Sequence, residues 1–358
     1  MLSNMLITAK TMQVIADQAG VSKMSVSRAL GNKPGVSDEL RQKILKIARD
    51  LGYRPNPLIT AFMASLRSQR ARPSIQTGTV LAFLERADRI EDVKSEHFRG
   101  ASEAAEEQGY KLERFIVGVA GLSPARLNAV LLARNVQGVV IAPLPEGHGQ
   151  FAHDWSQFCT VVIEYTFITP NFDRVVHDSY GSMRLILDQC RSRGFRRIGL
   201  VFSKNASERT EGLNEAAYWM EQKTIGCFAP IPSLRLESWD DVTVSRWFER
   251  YQPEVIVTSV VFVTFLKRFL EKNNKRVPDD ISIINVNTWD SEVSGIEQNN
   301  DHIGATAVRL LIDKLNRNDR GIPEHPITSV VPGLWVQGVT LGMAGKSAVA
   351  SSYPGDNS

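Results

Sequence analysis

Two hydrophobic patterns follow one another along the chain and divide it near residue 78. Before that point, apolar residues recur every three to four positions in short segments, which is the spacing of one helical face. After it, short β-branched runs alternate with longer amphipathic segments. The first pattern predicts a small helical domain, and the second predicts parallel sheets with helices packed on their faces.

The segment TMQVIADQAGVSKMSVSR, residues 11–28, predicts a helix, a glycine turn and a second helix. Thr11 and Ser22 provide capping hydroxyls at the two helix starts, and Gly20 ends the first helix. The side of the second helix that faces away from its apolar stripe carries Lys23, Met24, Ser27 and Arg28. Such a helix fits the major groove of B-DNA, where arginine pairs with guanine and methionine contacts a thymine methyl. A small helical hairpin with a solvated face is the alternative interpretation of this segment.

A third helix follows the first two. Ser37 is its predicted cap, acidic residues occupy its first turn, and Gly52 ends it. Its apolar residues, Leu40, Ile44, Ile47, Ala48 and Leu51, fall on one face. Three short helices of this kind can bury one shared core.

The order AxxAGVSxxSVSRxL, then VSxxxR, then LGYRPN, resembles the head of the LacI/GalR family of bacterial transcription regulators. These motifs run from Ala16 through Asn56. The resemblance implies a helix-turn-helix DNA-binding domain in which Lys23, Met24 and Arg28 read bases. Ser22, Ser25 and Ser27 are expected to cap the helix or contact phosphates, because hydroxyls there position the protein without specifying sequence. Thr11 and Asn56 complete the predicted DNA-binding set of the head.

Charge is distributed unevenly between the two parts of the chain. Residues 1–72 contain twelve Lys and Arg and four Asp and Glu, a net charge of +8, whereas the whole chain carries +3 and the remainder therefore −5. A basic head on an acidic body is expected of a module that neutralises phosphates, and it predicts steep salt dependence of DNA binding.

Asn56 and Pro57 begin a predicted short hinge helix that is too apolar to stand alone in water. In the family it resembles, this helix folds on the operator, pairs with its twin across a dimer and inserts a leucine into the minor groove. Phe62 occupies the wedge position here, while Ile59 and Thr60 replace the family's alanine and arginine. The alternative is that Phe62 packs on the body, as most apolar helical stripes do.

The body has the rhythm of two doubly wound parallel sheets. Strands are predicted at 79–84, 110–115, 136–142, 161–165, 198–202, 255–259 and 281–286, and helices at 98–109, 127–134, 183–193, 212–222, 242–250 and 262–273. Its resemblance to the family implies two lobes like those of periplasmic sugar-binding proteins, joined by three crossovers. We expect these crossovers near Thr166, Trp289 and Pro326.

Ligands of such folds lie beyond the carboxyl ends of the strands, so the loops there supply the candidate effector contacts. Those candidates are Glu85, Ser203, Asn205, Arg209, Asn287 and Trp289. By resemblance, Arg209 matches an effector-contacting arginine and Asn287 replaces an effector-binding aspartate. Trp289 would stack on a sugar or pack between lobes, and Asp178 is expected to brace a loop.

Other functions find little support in the sequence. The segment Gly345, Lys346 and Ser347 resembles the end of a P-loop, but Thr340 stands where the motif requires its first glycine. The six histidines lack metal-ligand spacing, and no GxSxG nucleophile motif occurs. We therefore expect no catalytic site, metal or cofactor. The alternatives are an exported-type solute-binding protein without a DNA role and a hydrolase on a similar two-lobed fold.

Three widely spaced cysteines predict reduced thiols. Together with the lack of an apolar run long enough to cross a membrane, they predict a cytoplasmic protein, which we expect to be nucleoid-associated.

The predicted organisation is a disordered N-terminus (1–9), a helix-turn-helix domain (10–56), a hinge helix and linker (57–76), a two-lobed effector-binding and dimerisation domain (77–343) and a disordered tail (344–358). We predict a homodimeric transcriptional regulator, by resemblance a repressor, that binds a palindromic DNA operator under control of a sugar-like effector.

Overall fold

The computed structural model describes residues 12–31, 34–53, 80–86, 95–118, 123–147, 149–150, 154–226, 228–288 and 291–344. The predicted disordered N-terminus, the hinge helix and linker, and the tail from residue 345 lie outside these ranges, so their assignments stay predictions.

The described elements run in chain order as follows. The helices are α1 (Met12–Ala19), α2 (Lys23–Leu30), α3 (Asp38–Asp50), α4 (Glu96–Glu107), α5 (Pro124–Ala133), α6 (Ser179–Ser192), α7 (Lys204–Glu208), α8 (Leu213–Ile225), α9 (Asp241–Tyr251), α10 (Val260–Lys272) and α11 (Asn300–Arg317), with a 3-10 turn at Trp155–Gln157. The strands are β1 (Val80–Arg86), β2 (Lys111–Val117), β3 (Gly138–Ile141), β4 (Gly149–Gln150), β5 (Cys159–Ile163), β6 (Phe167–Thr169), β7 (Asp173–His177), β8 (Ile198–Ser203), β9 (Leu234–Leu236), β10 (Val255–Thr258), β11 (Ser282–Asn285), β12 (Gly295–Glu297), β13 (Thr328–Val331) and β14 (Leu334–Val336).

Helices α1, α2 and α3 form the head around a small apolar core. The Ser22 hydroxyl accepts a hydrogen bond from the Ser25 N–H (3.1 Å) and caps α2, and Ser37 caps α3 through the Leu40 N–H. The turn after α1 requires Gly20, whose φ is +69°. The buried core residues are Ile15, Ala16, Ala19, Val26, Ala29, Ile44 and Ala48. The three predicted helices and their serine caps are confirmed.

The body consists of two lobes, each built on a six-stranded sheet. The first sheet has the order β13-β7-β5-β3-β1-β2 and is parallel throughout. The second has the order β14-β12-β11-β10-β8-β9, and β14 alone runs antiparallel to its neighbour. Each sheet carries apolar clusters on both faces. This topology confirms the predicted fold class, a helical head plus a two-lobed body of doubly wound sheets.

Three crossovers join the lobes, and each comes later in the chain than the sequence predicts. The chain leaves the first sheet after β7, at Asp178, and returns to it after β12, at Gln298. The third crossover, residues 332–333, separates β13 from β14. The predicted positions near Thr166, Trp289 and Pro326 are wrong because β7, β12 and β13 each follow the predicted position and precede the actual crossover, and the hydrophobic pattern does not distinguish these strands from loops.

The long helix α11 is absent from the sequence-based prediction, although it follows the second crossover and packs against α4 and the first sheet. Two glycines bring α11 and α4 into backbone contact. A Cβ at Gly304 would lie 2.0 Å from the His97 carbonyl oxygen, and one at Gly100 would lie 1.9 Å from that of Asp301. The pair closes the core of the first lobe.

Candidate functional site

The outer face of α2 presents the predicted reading residues together. Met24 is 64% exposed, and Lys23, Ser27 and Arg28 are exposed beside it, while Val26 and Ala29 of the same helix are buried in the core of the head. An apolar side chain as large as methionine at this exposure leaves a surface suited to contact with a base methyl.

The polar side chains around this face are held by local contacts. Ser22 and Ser25 share a hydroxyl contact of 3.0 Å at the start of α2. The Arg28 guanidinium lies over Gly35, whose φ of +92° and missing side chain leave it room. Three DNA-binding candidates, Thr11, Asn56 and Phe62, lie outside the described residues.

A second candidate site is a cavity of about 370 Å³ between the two lobes. The first lobe contributes the ends of β5 and β7 and the loop after β3, and the second lobe contributes the segments that follow β8, β10 and β11. Its polar lining comprises Glu164, Thr166, His177, Ser179, Ser203, Asn205, Arg209, Thr210, Asn214, Ser259, Asn287 and Gln298. The cavity therefore lies at the carboxyl edges of both sheets, where open α/β folds bind ligands.

Four of the six effector candidates, Ser203, Asn205, Arg209 and Asn287, line this cavity. Arg209 donates from Nη1 to the carbonyl oxygen of Leu144, and Asn205 donates from Nδ2 to that of Pro145 (3.3 Å). Both bonds connect the second lobe to the first across the cleft. The position of Arg209 at the end of α7 thus makes it both a lining residue and an interlobe contact.

Glu85 and Trp289 differ from this group. Trp289 lies outside the described residues. Glu85 is not a lining residue of the cavity, because its carboxylate lies 3.3 Å from Nε of Arg114 on the neighbouring strand β2. Its placement gives no support to the sequence prediction that it contacts an effector.

Glu164 and His177 line the cavity without having been predicted from the sequence. Glu164 accepts a hydrogen bond from the His177 main-chain N–H (2.8 Å) and adopts a left-handed φ of +64°. Burial raises the pKa of Glu164 to about 7, against the opposing charge of Arg209, and burial lowers the pKa of His177 to about 4. Glu164 lies at the end of the predicted strand 161–165, whereas His177 ends β7, which the hydrophobic pattern does not predict as a strand.

The crossover beside this pair is braced by Asp178, as expected. Its carboxylate accepts a hydrogen bond from the Gly181 N–H (2.8 Å) and caps α6. Within the part of the chain that the structure describes, no group of three His, Cys, Asp or Glu side chains could hold a metal ion. None of the described helices has the length and apolar character needed to span a membrane.

Comparison with known proteins assigns both parts of the chain. Residues 11–56 match the model of bacterial regulatory proteins of the lacI family, and residues 187–339 match a periplasmic binding protein-like domain. The chain belongs to the LacI family. It is a DNA-binding transcriptional regulator of this type, and the relatives that it matches are transcriptional regulators rather than enzymes.

Among the relatives of this LacI-family chain, the transcriptional regulator KdgR of Bacillus subtilis (strain 168) is 22% identical over 335 residues, covering 88% of this chain and 93% of KdgR. The ribose operon repressor of Lactococcus lactis subsp. lactis (strain IL1403) is 23% identical and covers 76% and 80% of the two chains.

Solved structures of other regulators share the fold. A complex of the transcriptional regulator CelR with cellobiose superposes with a TM-score of 0.55 at 17% identity, covering 92% of this chain and 99% of that one. The lac repressor dimer bound to operator and the anti-inducer ONPF gives 0.54 at 19% identity, covering 93% and 99%. At these identities the likeness extends to the fold alone.

Proposed function

We propose that this LacI-family regulator is a repressor that binds a palindromic operator as a homodimer and responds to a small hydroxylated effector held between its lobes. The observation that carries the proposal is the interlobe cavity, whose polar lining is contributed by both lobes. A ligand that contacts both lobes changes the free energy of their closure, because it binds the closed arrangement better than the open one.

Arg209 is the proposed centre of this response. It lines the cavity and already bonds to Leu144 of the opposite lobe. An effector that accepts hydrogen bonds from the Arg209 guanidinium would replace the direct bond to Leu144 with a contact through the ligand. The resulting shift in lobe closure would alter the spacing of the two heads, with a coupling free energy of about 1 to 3 kcal/mol.

We propose that residues on the exposed face of α2 make two kinds of DNA contact. Lys23, Met24 and Arg28 read base edges, and the serine hydroxyls contact phosphates. Outside the described residues, Thr11 and Asn56 are proposed as further DNA contacts and Phe62 as the minor-groove wedge. A cytoplasmic, nucleoid-associated location stays part of the same proposal.

A second copy of the chain is proposed to cover an apolar surface on the second lobe. Val242 at the start of α9 is 56% exposed, and Phe265 on α10 is 44% exposed. The Trp239 ring stacks on that of Phe265 with centroids 6.0 Å apart. The solved lac repressor is a dimer, and a two-fold arrangement matches a palindromic site.

The dimer proposal is tested by sedimentation of Val242→Glu and Phe265→Glu. Each should shift the full-length chain toward a monomer, because a carboxylate replaces an apolar contact. Lys223→Glu, on an exposed part of α8, is the matched surface control. A wild-type chain that sediments as a monomer at micromolar concentration would contradict the proposal.

The whole proposal is tested by measuring operator affinity with and without effector. Duplexes selected by the protein from a randomised pool supply the operator, and a thermal-shift screen of sugars and sugar derivatives on the full chain supplies the effector, since a ligand of the folded state raises its stability. The selected sites should consist of two half-sites related by dyad symmetry, and a stabilising ligand should change operator affinity by about 5- to 150-fold. Selected sites without dyad symmetry, or a stabilising ligand that leaves operator affinity unchanged, would refute it.

A further inference from the structure

Ser259 occupies the N-cap position of α10, but unlike other N-cap serines of this protein it makes no capping hydrogen bond. Its backbone has the extended conformation of an N-cap, but its hydroxyl makes no capping bond. The residue is 5% exposed, and its Oγ is buried without a hydrogen-bond partner. By contrast, Ser123 and Ser203 accept hydrogen bonds from the first turns of α5 and α7. A buried hydroxyl left unsatisfied is unfavourable unless something else binds it.

The same helix start also offers two main-chain donors. The N–H of Phe262 donates to the Ser259 carbonyl oxygen (2.9 Å), whereas the N–H groups of Val260 and Val261 precede that bond and are left over by the helical pattern. Ser259, Val260 and Val261 all line the interlobe cavity. With thirteen residues, α10 is long enough for its dipole to favour negative charge at this end.

The described lining of the cavity contains few charged groups. Arg209 supplies a cation and Glu164 an acid, and the His177 ring is neutral because burial lowers its pKa to about 4. Asn287 also lines the cavity, and its neutral amide does not repel an anion as a carboxylate would. Its Oδ1 is buried and unpartnered, and it requires a donor such as a hydroxyl.

We propose that the effector is a sugar acid, whose carboxylate binds the Ser259 hydroxyl and the first N–H groups of α10 while a hydroxyl donates to Asn287 Oδ1. This inference rests on the proposed function and names the class of its ligand. A carboxylate fits better than a phosphate dianion, because among the described lining residues one cation, Arg209, faces one acid, Glu164, and a dianion would add a larger unbalanced negative charge.

The test compares matched ligands on the full-length protein. Isothermal titration calorimetry is performed with gluconate, galactonate and glucuronate, with the neutral sugars glucose and galactose, and with glucose 6-phosphate. We expect at least one sugar acid to bind at least tenfold more tightly than its neutral counterpart and than the phosphate ester. Equal binding of neutral sugars, tighter binding of the phosphate ester, or no binding by any of the three acids overturns the assignment.

Two variants locate the carboxylate. Ser259→Ala should weaken the sugar acid about 10-fold, and Ser259→Asp about 100-fold or more, because its carboxylate occupies the helix start itself. Ser123→Asp places the same charge at the capped start of α5, outside the cavity, and should leave the affinity unchanged. The melting temperature of each ligand-free variant reports folding. Unchanged affinity in both Ser259 variants overturns the proposal.

These outcomes separate the ligand class from the proposed function. If a neutral sugar binds tightly and changes operator affinity, ligand control of the regulator stands and the carboxylate assignment falls. If no ligand of any class binds and operator affinity never responds, both fall together.

Discussion

Arg209 of the second lobe donates a hydrogen bond to the main-chain carbonyl oxygen of Leu144 in the first lobe. The adjoining residue Pro145 accepts a second bond from Asn205, so two side chains of one lobe hold the same loop of the other. The loop is braced within its own lobe by an ion pair between Arg86 and Glu146. The cleft is thus bridged beside the cavity, where an occupant can compete for or reinforce the contact.

Replacing Arg209 with alanine should remove the effector response while operator binding without effector persists. The guanidinium is the cationic contact in the cavity lining, and hydrogen bonds to a charged group contribute about 1.5 to 3 kcal/mol, or about 10- to 150-fold in effector affinity. Calorimetry and operator-binding anisotropy measure the two effects. Arg246→Ala, an exposed arginine on α9, is the control. Loss of operator binding together with effector binding would indicate a structural role instead.

Glu164 should make stability depend on pH. Burial raises its pKa from 4.5 to about 7, so the folded chain holds this proton more tightly than the unfolded chain does. The stabilisation is therefore complete below pH 4.5 and is lost as the pH rises through 7, with an upper limit of about 3 kcal/mol. Wild type should lose stability relative to Glu164→Gln between pH 5 and pH 8.

Denaturant unfolding of both proteins across that range measures the difference. The buried histidines His97 and His177 have pKa values lowered to about 4, and they contribute equally to both proteins, so their effect cancels. Parallel pH profiles of wild type and Glu164→Gln would show that the carboxyl is not buried as described.

Gly304→Ala should strongly destabilise the first lobe. The added Cβ would meet the His97 carbonyl oxygen at 2.0 Å, and a main-chain oxygen cannot rotate away as a side chain can. Forcing α11 away from α4 should cost about 3 kcal/mol or more. Glu103→Ala, at an exposed position of α4, should change stability by about 0.5 kcal/mol or less. Equal unfolding midpoints for the two variants would refute the close helix contact.

Arg28→Ala should weaken operator binding and relax sequence preference at one base position, at a cost of about 1 to 3 kcal/mol. Lys46→Ala, an exposed lysine on α3, should at most weaken binding uniformly across sequences. Anisotropy at fixed salt with matched and mismatched operators measures both. If Arg28→Ala leaves affinity and preference unchanged, α2 does not read the operator through this residue.

The sequence by itself determined the head and the fold class, because those features depend on local signals. Capping serines, the turn at Gly20 and a 3.6-residue apolar period need no distant contact to be recognised. The strands of both sheet interiors were equally visible as short β-branched runs. The loops after β8 and β11 could be placed, and with them Arg209 and Asn287.

The tertiary structure alone decided where the lobes divide and what completes the cavity. The strands β7, β12 and β13 lie beside the crossovers and are identified only by their pairing partners, so His177 at the end of β7 was missed with them. Glu85 is the opposite case. Its position after a predicted strand suggested a ligand contact, but its carboxylate pairs with Arg114. Local patterns determine elements, but a site between two lobes is made by contacts between distant residues.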